Sequence, residues 1–225
     1  MRFIRNTFHI AKKDLALELR SREIISSMLV FVLLVVVVFS FIFEPGAHET
    51  KRIAGGTYWM ALSFAALLGL GKSMQQEIMG DNLSALLLTP VDRNAIFIGK
   101  VASNFIFLLA VEAVMLILFI VLYEVNLLNG VDMLVTIVAT TYGFVLLGTL
   151  FSLIAARTRT REIMLPLLLL PLLIPILIGA IQVTNMAQME GAELRDYIKW
   201  IRLIIVYDVV FSALSLVLFA PLVEE

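Results

Sequence analysis

Six stretches of this chain are long and apolar enough to cross a bilayer, and that leaves very few folds open to it. They run over residues 24–43, 53–70, 95–122, 131–156, 163–183 and 198–221. A lipid core about 30 Å thick takes roughly 20 apolar residues per helix. Residues 28–43 contain a single polar side chain, Ser40, in a run rich in valine. Such a run favours a strand in water, but in lipid only a helix satisfies its own backbone. The expectation is an all-α, polytopic membrane protein of six transmembrane helices. The second span is the shortest and the richest in small residues.

Composition agrees: 61% of the 225 residues are hydrophobic and 16% charged. A soluble domain carries about a quarter charged residues. The net charge of −1 gives no basis for a nucleic-acid partner, and the absence of cysteine excludes disulfides, thiolate metal sites and cysteine nucleophiles. The first apolar run has no small-residue cleavage site after it, so it reads as a retained span and not as a signal peptide. No repeat and no long hydrophilic segment interrupts the pattern. Residues 1–225 are expected to form one membrane domain, with an elbow segment at 1–23 and a loop at 73–94.

Six spans place both termini on one side. If that side is the cytoplasm, it holds Arg2, Arg5, Lys12, Lys13, Arg20, Arg22, Lys72, Arg93, Lys100, Arg157, Arg159 and Arg161, twelve of the 17 basic residues. Lysine and arginine accumulate on the cytoplasmic side. Both termini are therefore expected inside.

The N-terminal segment is amphipathic. Ile4, Phe8, Ala11, Leu15 and Leu19 form one stripe, and Arg5, Lys12, Lys13 and Arg20 lie off it. A helix of this pattern lies in the membrane interface, apolar side in the acyl chains and basic side toward anionic headgroups. It serves either as a topology anchor or as an elbow that transmits motion to the bundle.

The loop after the second span reads Gln75-Gln76-Glu77-Ile78-Met79-Gly80-Asp81-Asn82-Leu83-Ser84-Ala85-Leu86-Leu87-Leu88-Thr89-Pro90. Asp81 or Asn82 can cap a helix, Leu83, Leu86 and Leu87 then share a face, and Pro90 ends it by disfavouring the α conformation at Thr89. A helix this short is not stable alone. It either folds back on its own bundle or docks into a groove of a soluble partner. Just upstream, Gly71-Lys72-Ser73 imitates a phosphate-binding loop, but Ala66 stands where the first glycine is needed and no soluble strand precedes it. ATP hydrolysis is therefore assigned to another polypeptide, and Lys72 to the interface.

Glu112 and Asp208 lie deep in the third and sixth spans. A charge at the bilayer centre costs about 2.5–3.5 kcal/mol on insertion scales, so each needs a proton or a partner. Asn104, Thr140, Thr141 and Tyr142 are the candidate donors. The two acids are either polar glue between helices or part of a substrate path. Pro166, Pro171 and Pro175 in the fifth span each remove a backbone hydrogen bond, giving a static bend or a gating hinge. His9 and His48 lack a second ligand at metal-site spacing. No nucleophile accompanies the acids, so no catalytic, cofactor or metal site is expected.

The basic N-terminal segment, the run Glu77…Asp81-Asn82-Leu83…Leu86-Leu87-Leu88-Thr89-Pro90…Lys100 and the stretch from Leu165-Pro166 through Leu170-Pro171-Leu172-Leu173-Ile174-Pro175-Ile176-Leu177-Ile178 together resemble the haem exporter protein B (CcmB) family. This is the family of the membrane subunit of the cytochrome c maturation ABC transporter. The proline-leucine core of the last stretch is the most specific of the three, and the similarity in span layout covers the chain.

The resemblance implies a permease of the bacterial inner membrane, ABC-2 exporter-like in fold and paired with a cytoplasmic ABC ATPase subunit that binds the ATP. It implies that Glu77, Asp81, Leu83, Leu86, Leu87 and Pro90 belong to a coupling helix seated on that ATPase. It implies association with the haem-handling membrane subunit of the same system, with haem as cargo of the complex and no cofactor in this chain. Trp59 and Trp200, far apart, do not form that partner family's tryptophan-rich haem loop. Two roles fit: moving haem, or spending ATP to release a haem-loaded chaperone. The coupling pattern alone would equally suit an ABC-2 permease for a lipid, drug or polysaccharide, or a non-transporting membrane scaffold.

Overall fold

The computed structural model describes residues 2–43, 47–80, 82–125, 127, 130–156, 158, 161–188 and 194–224, apart from some side chains inside these ranges. The described residues form eight helices and no strand: α1 (Arg2–Ser21), α2 (Glu23–Ser40), α3 (His48–Met79), α4 (Asn82–Leu87), α5 (Arg93–Tyr123), α6 (Val131–Ala156), α7 (Arg161–Ala187) and α8 (Leu194–Glu224). Six of them, α2, α3, α5, α6, α7 and α8, are long and apolar enough to span a membrane. The chain is a multi-pass α-helical membrane protein.

The spans are not equivalent. α3 and α6 are the most enclosed, whereas α2 and α8 leave most of their surface outward. Small residues explain the difference. Ala54, Ala61, Ala65 and Ala66 on α3, with Thr140, Thr141 and Thr149 on α6, are all buried. Lipid offers no hydrophobic drive to bring helices together, so close backbone approach over small side chains supplies the contact. The valine and leucine surfaces of α2 and α8, such as Val30, Leu34, Val209 and Val217, stay exposed and suit acyl chains.

The second span is longer than expected. The sequence places its end near Leu70 and a polar loop from residue 73, but α3 continues unbroken to Met79. Gly71 does not interrupt it, and the helix stops only at Gly80, whose N–H closes on the Gln76 carbonyl at 3.1 Å. The polar side chains along this last part have partners on neighbouring helices. Ser73 donates to Asn104 at 3.0 Å and Gln76 donates to Glu23 at 3.1 Å. What remains of the loop is α4 and the few residues around it. Thr89 N–H and Oγ1 both turn back to the Leu86 carbonyl, and the chain leaves the helix before Pro90, as the proline requires.

α1 carries a third face that the apolar stripe hides. Ile4, Phe8 and Leu19 are exposed, as expected, but Ala11 is buried beside Ile10 and Glu18. This sector docks on α5, where Gly99 gives the room. A Cβ on Gly99 would stand 2.8 Å from Ile10 and 3.1 Å from the Thr7 carbonyl. The turn into α2 passes through Arg22 in the left-handed region, φ 56°. Glu18 then takes the place of a cap, accepting from the Ile25 N–H at 2.8 Å and satisfying a first-turn donor of α2.

Candidate functional site

Two polar constellations stand out, one at the end of the bundle that carries α1 and α4, the other inside it.

At the first, four charged side chains from three helices meet. Lys100 of α5 reaches Glu77 of α3 at 2.9 Å and Asp14 of α1 at 3.3 Å. Lys13 contacts Asp14 at 3.1 Å and Glu77 at 3.6 Å. The Lys100 side chain is 5% exposed, so removing it from water is offset only by two carboxylates at once. Burial lowers the Lys13 pKa, but the charges of Asp14 and Glu77 outweigh it and hold the ammonium above the usual lysine value of 10.5. The sequence counts Lys100 with the cytoplasmic-side charges and places Glu77 in the coupling loop. The structure pairs them, both buried, within the last turn of α3.

α4 follows directly. Leu86 and Leu87 are half-buried, with Leu87 packed against the core, while Leu88 just beyond the helix is 89% exposed. The short helix thus folds part of its leucine face back on the bundle and leaves Leu88 and Pro90 outward. Asp81 and the Leu83 side chain lie outside the described residues. The ion-paired corner fixes the root of α4 to α1 and α5. Asp14 and Glu18 were missed by the sequence reading, and Leu88 and Lys100 entered it as part of the family motif, without a site role. The available signal was the pair of acids at Asp14 and Glu18, spaced for one helix face within an otherwise basic segment.

The second constellation surrounds Glu112. Tyr58 donates to its Oε1 at 3.1 Å and Thr141 to its Oε2 at 2.5 Å. Thr141 was among the expected donors. Asn104 instead spans Ser73 and Thr149, and Tyr142 pairs with Ser212 at 2.9 Å. Tyr58 was not anticipated, because it comes from the neighbouring α3. Trp59 beside it donates to Thr184 at 2.8 Å. Tyr58, Glu112 and Thr141 therefore join α3, α5 and α6 by side-chain hydrogen bonds.

Asp208 on α8 does not join them. Its Oδ1 is buried without a hydrogen-bond partner among the described residues, and it fits because α6 has glycine opposite: a Cβ on Gly143 would lie 2.5 Å from it. Pro166, Pro171 and Pro175 all sit within the continuous α7. Tyr207 of α8 donates to the Leu172 carbonyl in this stretch, tying α8 to α7 between Pro171 and Pro175.

A chain of six spans, with a docked elbow helix and a short leucine-faced helix rooted in buried ion pairs, is built as a helical integral membrane protein that presents one small element outside its bundle. Residues 5–223 match the family described as CcmB protein, and the chain belongs to that family. Among curated relatives, heme exporter protein B of Haemophilus influenzae is 28% identical over 185 residues, 79% of this chain and 80% of the relative.

Proposed function

We propose that this chain is the membrane subunit of an ABC-type haem exporter complex serving c-type cytochrome maturation, driven by ATP hydrolysis in a separate cytoplasmic subunit. Membership of the CcmB family and the relative named heme exporter protein B support the haem assignment. Charge placement supports an inner-membrane orientation with both termini in the cytoplasm.

The observation that carries the coupling role is Leu88, 89% exposed at the end of a six-residue helix whose root is held by buried ion pairs. An exposed leucine directly after a short soluble-side helix can anchor that helix in a groove of a partner. Movement of that groove would pass through α4 into α3 and, by way of Glu77, into α1 and α5. Glu112, Asp208 and the prolines of α7 lie away from this corner, where the bundle would have to change shape.

The test is co-purification of the ATPase subunit with Leu88→Asp and Leu86→Asp variants, alongside holo-cytochrome c in cells carrying them. Loss of the ATPase and of holo-cytochrome c, with the chain still inserted, supports the reading. Undiminished capture by both variants removes α4 as the docking element. Normal holo-cytochrome c in cells lacking the gene removes the haem assignment.

A further inference from the structure

A groove on the lipid-facing side of the bundle is used by neither constellation. Its cavity of about 380 Å³ lies over α3, with Phe31 of α2 on one flank and Ser152 of α6 and Leu165 of α7 on the other. A second hollow of about 430 Å³ runs beside it along α2, lined by Ser26, Ser27, Val30 and Leu34. Phe31 and Leu68 line both and form the ridge between them. Leu68 and Phe64 are 42% and 43% exposed, so the groove opens sideways into the bilayer.

One end of the paired hollows is polar. Lys72 lines the first and Ser26 and Ser27 the second. The Lys72 ammonium donates to Ser27 Oγ at 2.5 Å, and among the described residues no carboxylate lies within ion-pair distance of it. Glu23, the nearby acid, accepts from Gln76 instead. An ammonium has three donors, so two remain for a ligand. Lys72 lies near the end of α3, at the level of α1 and the start of α2, where headgroups meet acyl chains. A lone cation above two apolar hollows divided by a ridge has the layout of one anionic headgroup and two chains.

We infer that this groove is a binding site for a two-chained anionic phospholipid of the leaflet on the α1 side, its phosphate on Lys72 and Ser27, one chain in each hollow. The inference does not rest on the haem reading. A bound lipid wedged between α2 and α7 would also set the spacing of those helices.

The full chain in nanodiscs of mixed phosphatidylglycerol and phosphatidylethanolamine, released and weighed by native mass spectrometry, tests it. Wild type is expected to keep phosphatidylglycerol in preference to phosphatidylethanolamine. Lys72→Gln should lower that preference roughly five-fold, the weight of one basic residue near an anionic lipid, and Lys72→Arg should restore it. Leu68→Trp, on the exposed ridge, should reduce retention of both lipids with the charge intact. It keeps the inference falsifiable should Lys72→Gln fail to fold. Equal retention of the two lipids by wild type, or unchanged retention in Leu68→Trp, overturns the site. So does a lipid-free dimer mass that Leu68→Trp abolishes, which would mark the face as an interface between copies of the chain.

Discussion

Lys100 on α5 and Glu77 on α3 hold each other at 2.9 Å with side chains 5% and 10% exposed, and Asp14 of α1 closes on the same ammonium at 3.3 Å. A lysine near the start of the third span, counted with the cytoplasmic-side charges, is thus the buried centre that ties the elbow helix to the root of α4.

Breaking that centre from one side leaves a buried charge with only its longer contact, Lys100 with Asp14 at 3.3 Å or Glu77 with Lys13 at 3.6 Å, which costs up to about 3–5 kcal/mol, whereas replacing both members by apolar residues costs far less. Glu77→Leu and Lys100→Met singly are expected to lower the melting temperature of the chain in detergent sharply. The double variant should recover most of the loss. Additive losses would show that the pair is not coupled.

The same corner responds to alkali. Lys13 is raised above its ordinary 10.5 by Asp14 and Glu77 against the opposing effect of burial. A raised lysine contributes stability that is fully present below pH 10.5 and fades as pH climbs through the higher folded value. Protease cleavage within α1 is therefore expected to stay constant from neutral pH to about 10.5 and to increase above it. Lys13→Met should flatten that rise.

Tyr58→Phe removes the donor to Glu112 Oε1 and leaves a buried acceptor unmet, at about 1–3 kcal/mol. Thr141→Val removes the other donor. Because both act on one carboxyl, the double variant should lose measurably more or less than the sum, read by thermal unfolding. A strictly additive result would mean the two bonds are independent.

Gly143→Ala places a methyl 2.5 Å from Asp208 Oδ1. The variant should be destabilised, and Asp208→Ala, which removes the obstructing oxygen, should rescue it. Failure of that rescue would show that the α6–α8 approach is limited by other atoms.

Much of this architecture was legible in the chain. Each span was found from its hydropathy, the helix stop at Pro90 from backbone sterics, and Thr141 as one of four candidate donors to the two intramembrane acids. The end of α3 was not, because Ser73, Gln76 and Glu77 read as loop until their partners on α1, α2 and α5 are known. Nor was the docked face of α1, where Asp14 and Glu18 stand beside a stronger apolar stripe.

By itself the sequence determined six membrane-crossing helices, an amphipathic N-terminal helix and a short leucine helix between the second and third spans. Hydropathy acts residue by residue and lipid enforces helix wherever it is high enough. Only the tertiary structure decided that Lys100 is interior, that Tyr58 serves Glu112, that Asp208 lies against Gly143, and that Leu88 is left outward while Leu86 and Leu87 are half-buried. Those outcomes depend on how each helix is rotated and which helix lies beside it. Rotation is set by small residues packing against neighbours distant in the chain, and no local pattern records that.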